Sequence, residues 1–399
     1  MDRKRTKRRV MIVFGTRPEV IKLAPVIHEL RRRGGYAARI CFTAQHRELC
    51  DPLLRFFSIR PDHDLDVMTE NQSLMAIATR TMSRLDAVLD RDPAEMVIVQ
   101  GDTTSAFAAA LLAFYRRIPV AHVEAGLRTS TVWNPYPEEM NRRLVGRVAE
   151  LHFAPTERAR RALAAEGVPG AAVWVTGNTV IDALLFTRAA IRARRRPARK
   201  GLERRRRILV TAHRRESFGR GIEEICAAIR DIAARNGDVE IFFPVHPNPA
   251  VRAVVSRTLA GRERIVLSPP VDYRELVRAM DESFLVLTDS GGLQEEAPAL
   301  GKPVVVMRDE TERPEIVAAG GAVLAGPHRD RIVAAVERLL HDQRAYARMA
   351  RVRTPFGDGR AARRIVRVLD AWFRSGGKTP PGLRRTAEFR PRAPRSPRD

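Results

Sequence analysis

LVLTDSGGLQEEAPALGKPVVVMRDETERPE, residues 285–315, is the stretch whose reading decides the fold. Leu285 to Thr288 has the character of a short buried strand, and Asp289-Ser290-Gly291-Gly292 stands where a strand hands over to a helix. A helix that begins at such a corner directs free N–H groups and the positive end of its dipole at whatever lies beyond, and both favour an anion, phosphate above all. The helix carries Gln294, Glu295 and Glu296, ends near Gly301, and returns to a second strand from Pro303 to Met307. Arg308 and Arg313 lie in the loop that follows. Phosphate-directed glycines, carboxylates within one helical turn and nearby arginines together suit a nucleoside diphosphate.

The same alternation runs through the chain. Val10 to Phe14 is a strand that turns through Gly15-Thr16-Arg17-Pro18-Glu19 into a helix ending near Arg33. Strands are expected at 39–43, 96–99, 120–123, 208–211, 239–245 and 265–267. Helices are expected at 73–89, 103–115, 138–148, 221–235, 273–281 and 361–373. Strand and helix in strict alternation imply an α/β protein with parallel sheets. A length of 399 residues suits two such domains. We expect a basic extension at 1–9, a domain at 10–187, an arginine-rich linker at 188–207, a second domain at 208–360, a C-terminal helix at 361–375 and a disordered Pro/Arg-rich tail at 376–399.

The formal charge of +24 is unevenly spread. Residues 1–9, 188–207 and 376–399 carry +5, +10 and +5, so the body of the chain is near balance. Only six of the 71 basic residues are lysines, a chain-wide arginine habit. No reader motif accompanies the charge, which sets nucleic acid aside as a partner. No apolar run approaches the ~20 residues of a membrane helix, and the run after the basic start is too short for a secretory signal. Cys41, Cys50 and Cys226 are odd in number and widely spaced, which indicates neither disulfides nor a zinc site. A reduced, cytoplasmic protein is the expectation. A GxGxxA match from Gly357 to Ala362 follows no strand and is no dinucleotide fingerprint.

Ligands of open parallel sheets bind beyond the carboxyl ends of the strands. The polar clusters of this chain fall there: Gly15-Thr16-Arg17, Gly101-Asp102-Thr103, His122 to Arg128, His213 to Glu216, His246-Pro247-Asn248 and Asp289-Ser290-Gly291. GTRPE at 15–19, Lys22, GDTT at 101–104, HVEAGLRT at 122–129, PEEMNR at 137–142, GNTVID at 177–182, HRRESFG at 213–219, PVHPNP at 244–249 and the 289–315 stretch resemble the non-hydrolysing bacterial UDP-N-acetylglucosamine 2-epimerases. The resemblance spans Val10 to Phe373 in order. It implies two Rossmann-like doubly wound domains facing across a cleft, glycosyltransferase-B-like. It also implies an isomerase that interconverts UDP-N-acetylglucosamine and UDP-N-acetylmannosamine without a cofactor or metal, supplies ManNAc-type precursors for cell-surface polysaccharide and works as a homodimer.

Carried over position by position, the resemblance makes Asp102, Glu124 and Glu138 the catalytic carboxylates and His213 the partner of the departing diphosphate. Which carboxylate is base and which is acid stays open. Arg17, Lys22 and Arg313 become substrate-binding cations, Ser290, Gly291 and Gly292 phosphate donors, and Glu296 an acceptor for ribose hydroxyls. Gln45, Arg214 and His246 match an allosteric second substrate site, although Asn71 stands where an arginine is expected before Gln72. The alternatives are a 2-epimerase of a related UDP-sugar such as a 2,3-diacetamido uronic acid, a hydrolysing epimerase, and a sugar-nucleotide binder without turnover.

Overall fold

Strands that read as unbroken apolar runs are those buried on both faces, and only a parallel sheet covered by helices on either side provides that. Met96–Gln100 and Leu285–Thr288 are buried along their whole length. The computed structural model describes residues 7–69, 72–193, 205–213, 219–378, 383 and 387–391. The chain divides into two units, residues 1–183 with 356–390, and 184–355 with 391–399.

The first unit holds β1 (Arg8–Phe14), α1 (Arg17–Arg33), β2 (Tyr36–Phe42), α2 (Arg47–Phe56), β3 (His63–Asp64), α3 (Leu74–Arg91), β4 (Met96–Gln100), α4 (Thr104–Tyr115), β5 (Val120–Val123), α5 (Glu138–Val148), β6 (Leu151–Ala154), α6 (Glu157–Ala165), β7 (Val173–Val175) and the start of α7 (Thr179–Ala193). Its seven strands are all parallel in the order β3-β2-β1-β4-β5-β6-β7. The order reverses between β1 and β4, the topological switch point at which doubly wound sheets bind ligands.

The second unit holds β8 (Arg206–Thr211), α8 (Arg220–Arg235), β9 (Val239–Pro244), α9 (Pro249–Leu259), β10 (Ile265–Ser268), α10 (Tyr273–Glu282), β11 (Leu285–Thr288), α11 (Gly291–Ala299), β12 (Val304–Val306), α12 (Pro314–Ala318), β13 (Ala322–Leu324), α13 (Arg329–His341) and α14 (Gln343–Ala350). Its six parallel strands run β10-β9-β8-β11-β12-β13, with the switch between β8 and β11. Ile208, Val210, Ile241, Phe243 and Leu287 from the strands pack with Ile225, Ile229 and Val336 from α8 and α13 into one core.

The 188–207 linker, expected with a helix at its start, begins within α7, which continues to Ala193 with Arg188 and Arg192 both paired to Asp281 of α10, and β8 begins at Arg206. Two expectations need correction. The helix after residue 360, α15 (Ala361–Arg374), is no separate piece but part of the first unit. Its apolar residues Ile365, Val366, Val368 and Leu369 are buried, and Asp370 accepts hydrogen bonds from Tyr36 (2.6 Å) and Arg33 (2.8 Å). The tail is ordered at residues 387–391, where Ala387 and Phe389 are buried and the Phe389 N–H donates to the Val175 carbonyl (2.6 Å). An apolar ring under the Arg364 guanidinium gives that short segment a reason to dock. Tail residues 379–382, 384–386 and 392–399, the linker core at 194–204 and the first six residues lie outside the described residues.

Gly126 follows β5 at φ +88°, and a Cβ there would overlap the Ala159 backbone carbonyl of α6. Left-handed backbone and a backbone clash act together, and neither can be relieved by rotating a side chain. Gly126→Ala is therefore expected to destabilise the protein by about 2 kcal/mol or more, read as a lower denaturant midpoint. A midpoint within about 0.5 kcal/mol of the parent would contradict the packing described.

Candidate functional site

Parallel pairing sets Gln100 of β4 opposite Val123 of β5, so the two strands end side by side. The chain then turns through Gly101, at φ +71° with its N–H on the Val123 carbonyl (3.0 Å), and through Glu124, a non-glycine residue at φ +62°. Such a conformation is costly for a residue with a Cβ and survives only where the surroundings hold it. The Glu124 carboxylate is buried and held by three donors: Lys22 of α1 (2.5 Å), Asn178 before α7 (2.9 Å), and the Gln100 amide. Lys22 is thus not a loose surface charge but the counter-ion of Glu124. Removing one member of such a buried pair costs about 3–5 kcal/mol.

Asp102 lies beside Glu124 in sequence order of the strand ends, its side chain about a quarter exposed. Arg142 of α5 grips its Oδ2 with Nε (3.1 Å) and Nη2 (2.5 Å), and Asn141 donates to its carbonyl (3.0 Å). Arg142 also donates to the fully buried Glu139 (2.9 Å), which Arg143 (2.8 Å) and the Thr129 N–H (3.2 Å) complete. Its burial opposes the charge, but Asp102 and Glu139 more than offset that and raise its pKa. Glu138, first residue of α5 and half-buried, makes no hydrogen bond or ion pair among the described residues. Of the three expected carboxylates, Asp102 is tied by an arginine, Glu124 is held by Lys22, Asn178 and Gln100, and Glu138 opens α5 with no side-chain partner among the described residues.

Sequence reasoning passed over Glu19, the last letter of GTRPE. Its buried carboxylate accepts from the Gly15 N–H (3.0 Å), the Thr16 N–H (2.7 Å) and the Thr103 hydroxyl (2.8 Å). Burial raises its pKa against the lowering influence of those bonds. The contact fastens the turn after β1 to the cap of α4, where Thr103 also accepts from the Ala106 N–H (3.0 Å). Arg17, next to this turn, is exposed. Gln45 is bonded by the Ser105 hydroxyl (2.9 Å).

In the second unit, Thr288 of β11 sits opposite Thr211 of β8, which brings Asp289 next to His213. Asp289 is fully buried; its Oδ2 accepts from the His213 N–H (2.7 Å) and its Oδ1 lies 2.9 Å from the ring Nδ1. Those two contacts fix the ring; the sequence places Asp289 at the strand-to-helix corner but carries no local signal of its pairing with His213. The His246 ring lies 6.1 Å from that of His213, and its pKa is drawn down by burial and then by its neighbour. Arg214 lies outside the described residues. Ser290 caps α11, with Gly291 and Gly292 as its first residues. The Gly292 Cα side faces both Ser290 Oγ and Glu296 Oε2, each 3.8 Å from where a Cβ would stand, so the cap hydroxyl and the carboxylate lie close to the first turn of α11. Glu296 is buried, and Tyr273 at the start of α10 is close enough to feel its charge after burial in raising the phenol pKa. Arg313 is anchored on Glu295 through Nε.

A family model described as UDP-N-acetylglucosamine 2-epimerase matches residues 28–370. The UDP-N-acetylglucosamine 2-epimerase of Escherichia coli K12 is 49% identical over 374 residues, covering 90% of this chain and 98% of that protein. The crystal structure of the Neisseria meningitidis UDP-GlcNAc 2-epimerase bound to UDP-GlcNAc is 44% identical, covers 90% of this chain and 99% of the other, and superposes with a TM-score of 0.83. The glycosyltransferase of kitacinnamycin, 15% identical, covers 91% of this chain and 99% of its own and superposes with a TM-score of 0.61, a likeness of fold. Two doubly wound parallel units of this kind make the fold glycosyltransferase-B-like.

Behind the strand ends, His122 of β5 and His152 of β6 stand opposite one another, both buried, with His122 Nε2 2.7 Å from the Gly101 carbonyl. Burial pulls His122 down to about 4, and burial with the neighbouring His122 pulls His152 down to about 3. The unfolded chain, with histidines near ~6.5, takes up the protons that the folded chain refuses. Their contribution is therefore complete above about pH 6.5 and is lost as pH falls towards 4. We expect unfolding free energy to drop on the order of 1 kcal/mol per pH unit for each histidine over that window. Urea titrations across it should show a smaller slope for His152→Phe, and equal slopes would refute the assignment.

Proposed function

The chain belongs to the UDP-N-acetylglucosamine 2-epimerase family, and from that premise we propose how its residues divide the reaction. It is an isomerase that epimerises C2 of UDP-N-acetylglucosamine to give UDP-N-acetylmannosamine. The C2 proton lies beside an acetal carbon, so no carbonyl is available to stabilise its loss as an enolate. Elimination supplies the alternative. A carboxylate takes the C2 proton, the C1–O bond to UDP breaks, and a C1=C2 double bond forms, giving 2-acetamidoglucal and UDP. A proton is then delivered to the opposite face of C2 and UDP re-forms its bond to C1, so no atom is gained or lost.

Asp102, Glu124 and Glu138 handle the proton in this proposal. The observation that carries it is the convergence of the Asp102 and Glu124 turns at the ends of β4 and β5, with Arg142 and Lys22 keeping those two carboxylates paired with positive charge. Arg17 adds positive charge for the diphosphate. His213, steadied by Asp289, stabilises the departing phosphate, and Ser290, Gly291 and Gly292 at the start of α11 hold it while Glu296 accepts from the ribose. Arg313, set on Glu295, contributes charge. Retention matters because UDP lost midway ends the cycle.

We assign the working protein to the cytoplasm and to a homodimer. Three buried free cysteines suit a reducing compartment, and no described helix is long and apolar enough to cross a membrane. The packed helices α3, α4 and α5 leave Met75, Phe114, Tyr115, Met140 and Leu144 exposed, apolar surface that a second copy would cover. Light scattering at micromolar concentration should return twice the chain mass, and Tyr115→Glu should halve it. A parent protein of single-chain mass would remove the dimer from this reading.

Incubation with UDP-N-acetylglucosamine in deuterium oxide should label C2. Asp102→Asn should lower that exchange by about a hundredfold or more while UDP affinity holds, the scale on which general acid–base groups act. Glu296→Ala should instead weaken UDP binding. No label with any UDP-N-acetylhexosamine, or identical behaviour of the two variants, would overturn this division.

A further inference from the structure

Asn178 belongs to no charge cluster and carries no titratable group, yet three different parts of the first unit meet on it. Its Nδ2 donates to Glu124 Oε1 (2.9 Å). Its Oδ1 accepts from the Val180 N–H (3.2 Å), the bond of a cap at the start of α7. Its own N–H donates to the Phe356 carbonyl (2.6 Å). Those last two partners mark where the chain crosses between units: it leaves the first unit inside α7, between Ala183 and Leu184, and re-enters it at Phe356.

The crossing is closely built. A Cβ on Gly177, at φ +82°, would stand 3.1 Å from the Gly357 Cα, so the outgoing and returning backbones touch where a side chain would separate them. Asp182, one turn along α7, closes the junction from the other side by accepting from the Ala361 (3.1 Å) and Ala362 (2.9 Å) N–H groups that begin α15. A cap for α7 needs only a short acceptor, which Ser, Thr or Asp would also supply. Asparagine does both tasks at once with separate atoms, Oδ1 accepting for the cap while Nδ2 donates to the buried carboxylate; a hydroxyl has one short oxygen for both, and an ionised aspartate has no donor.

We propose that Asn178 is a positioning residue for the epimerisation, an amide that fixes the Glu124 carboxylate to the double chain crossing and holds it in one orientation. The inference rests on Glu124 taking part in proton transfer, as argued above. The charged and titratable groups that face Glu124 are Lys22 from α1, Arg142 from α5 together with its partners Asp102 and Glu139, and His122 on β5. Lys22 and Arg142 favour its anion; Lys22 donates to Oε2, and Asn178 adds a neutral donor at Oε1.

Asn178→Asp is the discriminating variant. It keeps the acceptor for α7 and the backbone bond to Phe356, but replaces the donor with a second carboxylate against Glu124. Like charges in contact raise the pKa of the pair. The acidic limb of the pH dependence of kcat should therefore move upward by about one unit, and kcat at neutral pH should fall about tenfold or more. Asn178→Ser, which keeps the cap and adds no charge, should lower kcat with a smaller limb shift. UDP affinity, measured by calorimetry, should stay within about twofold in both, which also certifies that they fold. A wild-type kcat and acidic limb in both variants, with only the melting temperature lowered, would reduce Asn178 to a helix cap and overturn the proposal. Glu124→Gln separates the two levels: if it retains C2 exchange, the reading of Glu124 fails, whereas an inactive Glu124→Gln beside a wild-type-like Asn178→Asp refutes the positioning role alone.

Discussion

Charge buried at the end of β5 is the constraint on which the first unit depends. A carboxylate removed from water must be matched by donors or it will take up a proton or unfold its surroundings. Glu124 is matched by Lys22 from the first helix, Gln100 from the neighbouring strand and Asn178 from the chain crossing. Glu19 and Glu139 obey the same rule, one fastening the turn after β1 to the α4 cap, the other fastening α5 to the loop at Thr129. The sequence motifs are thus not independent signatures. Each provides the acid that another must neutralise, which is why they occur together.

The second unit is organised around a different requirement. Its strand ends open into the N-terminus of α11 at Ser290 and place a fully buried aspartate, Asp289, beside His213. Here the buried acid serves to aim a ring, with backbone and side chain of the histidine both secured to one carboxylate. Glu295 does likewise for Arg313. Both nitrogen-bearing side chains are thereby held to one direction by a buried acid.

Much of this was legible from the residues. Strand and helix alternation fixed the two doubly wound sheets, and the helix from Glu138 to Val148 and the strand from Leu285 to Thr288 lie where periodicity put them. What was not legible is long-range polar pairing. Nothing near Asn178 announces an acceptor 54 residues earlier, and nothing near His213 announces an aspartate 76 residues later. The left-handed backbone of Glu124 was equally hidden, because local preference would have put glycine there. Tail composition concealed the docking of Phe389.

The first unit is discontinuous: residues 1–183 wait for α15, which lies beyond the whole second unit. On a ribosome this sets an order of events. The seven strands of the first sheet emerge early, but the helix that covers Tyr36 and Arg33 and closes the junction at Asp182 follows some 170 residues later, roughly ten to thirty-five seconds at ordinary synthesis rates. During that interval the apolar surface destined for Ile365 and Leu369 stays uncovered, and the second unit completes before the first. A nascent chain of this design carries its main aggregation hazard in its first-made half, and separating the two units as independent proteins requires cutting the chain at both crossings and rejoining the first unit across the gap.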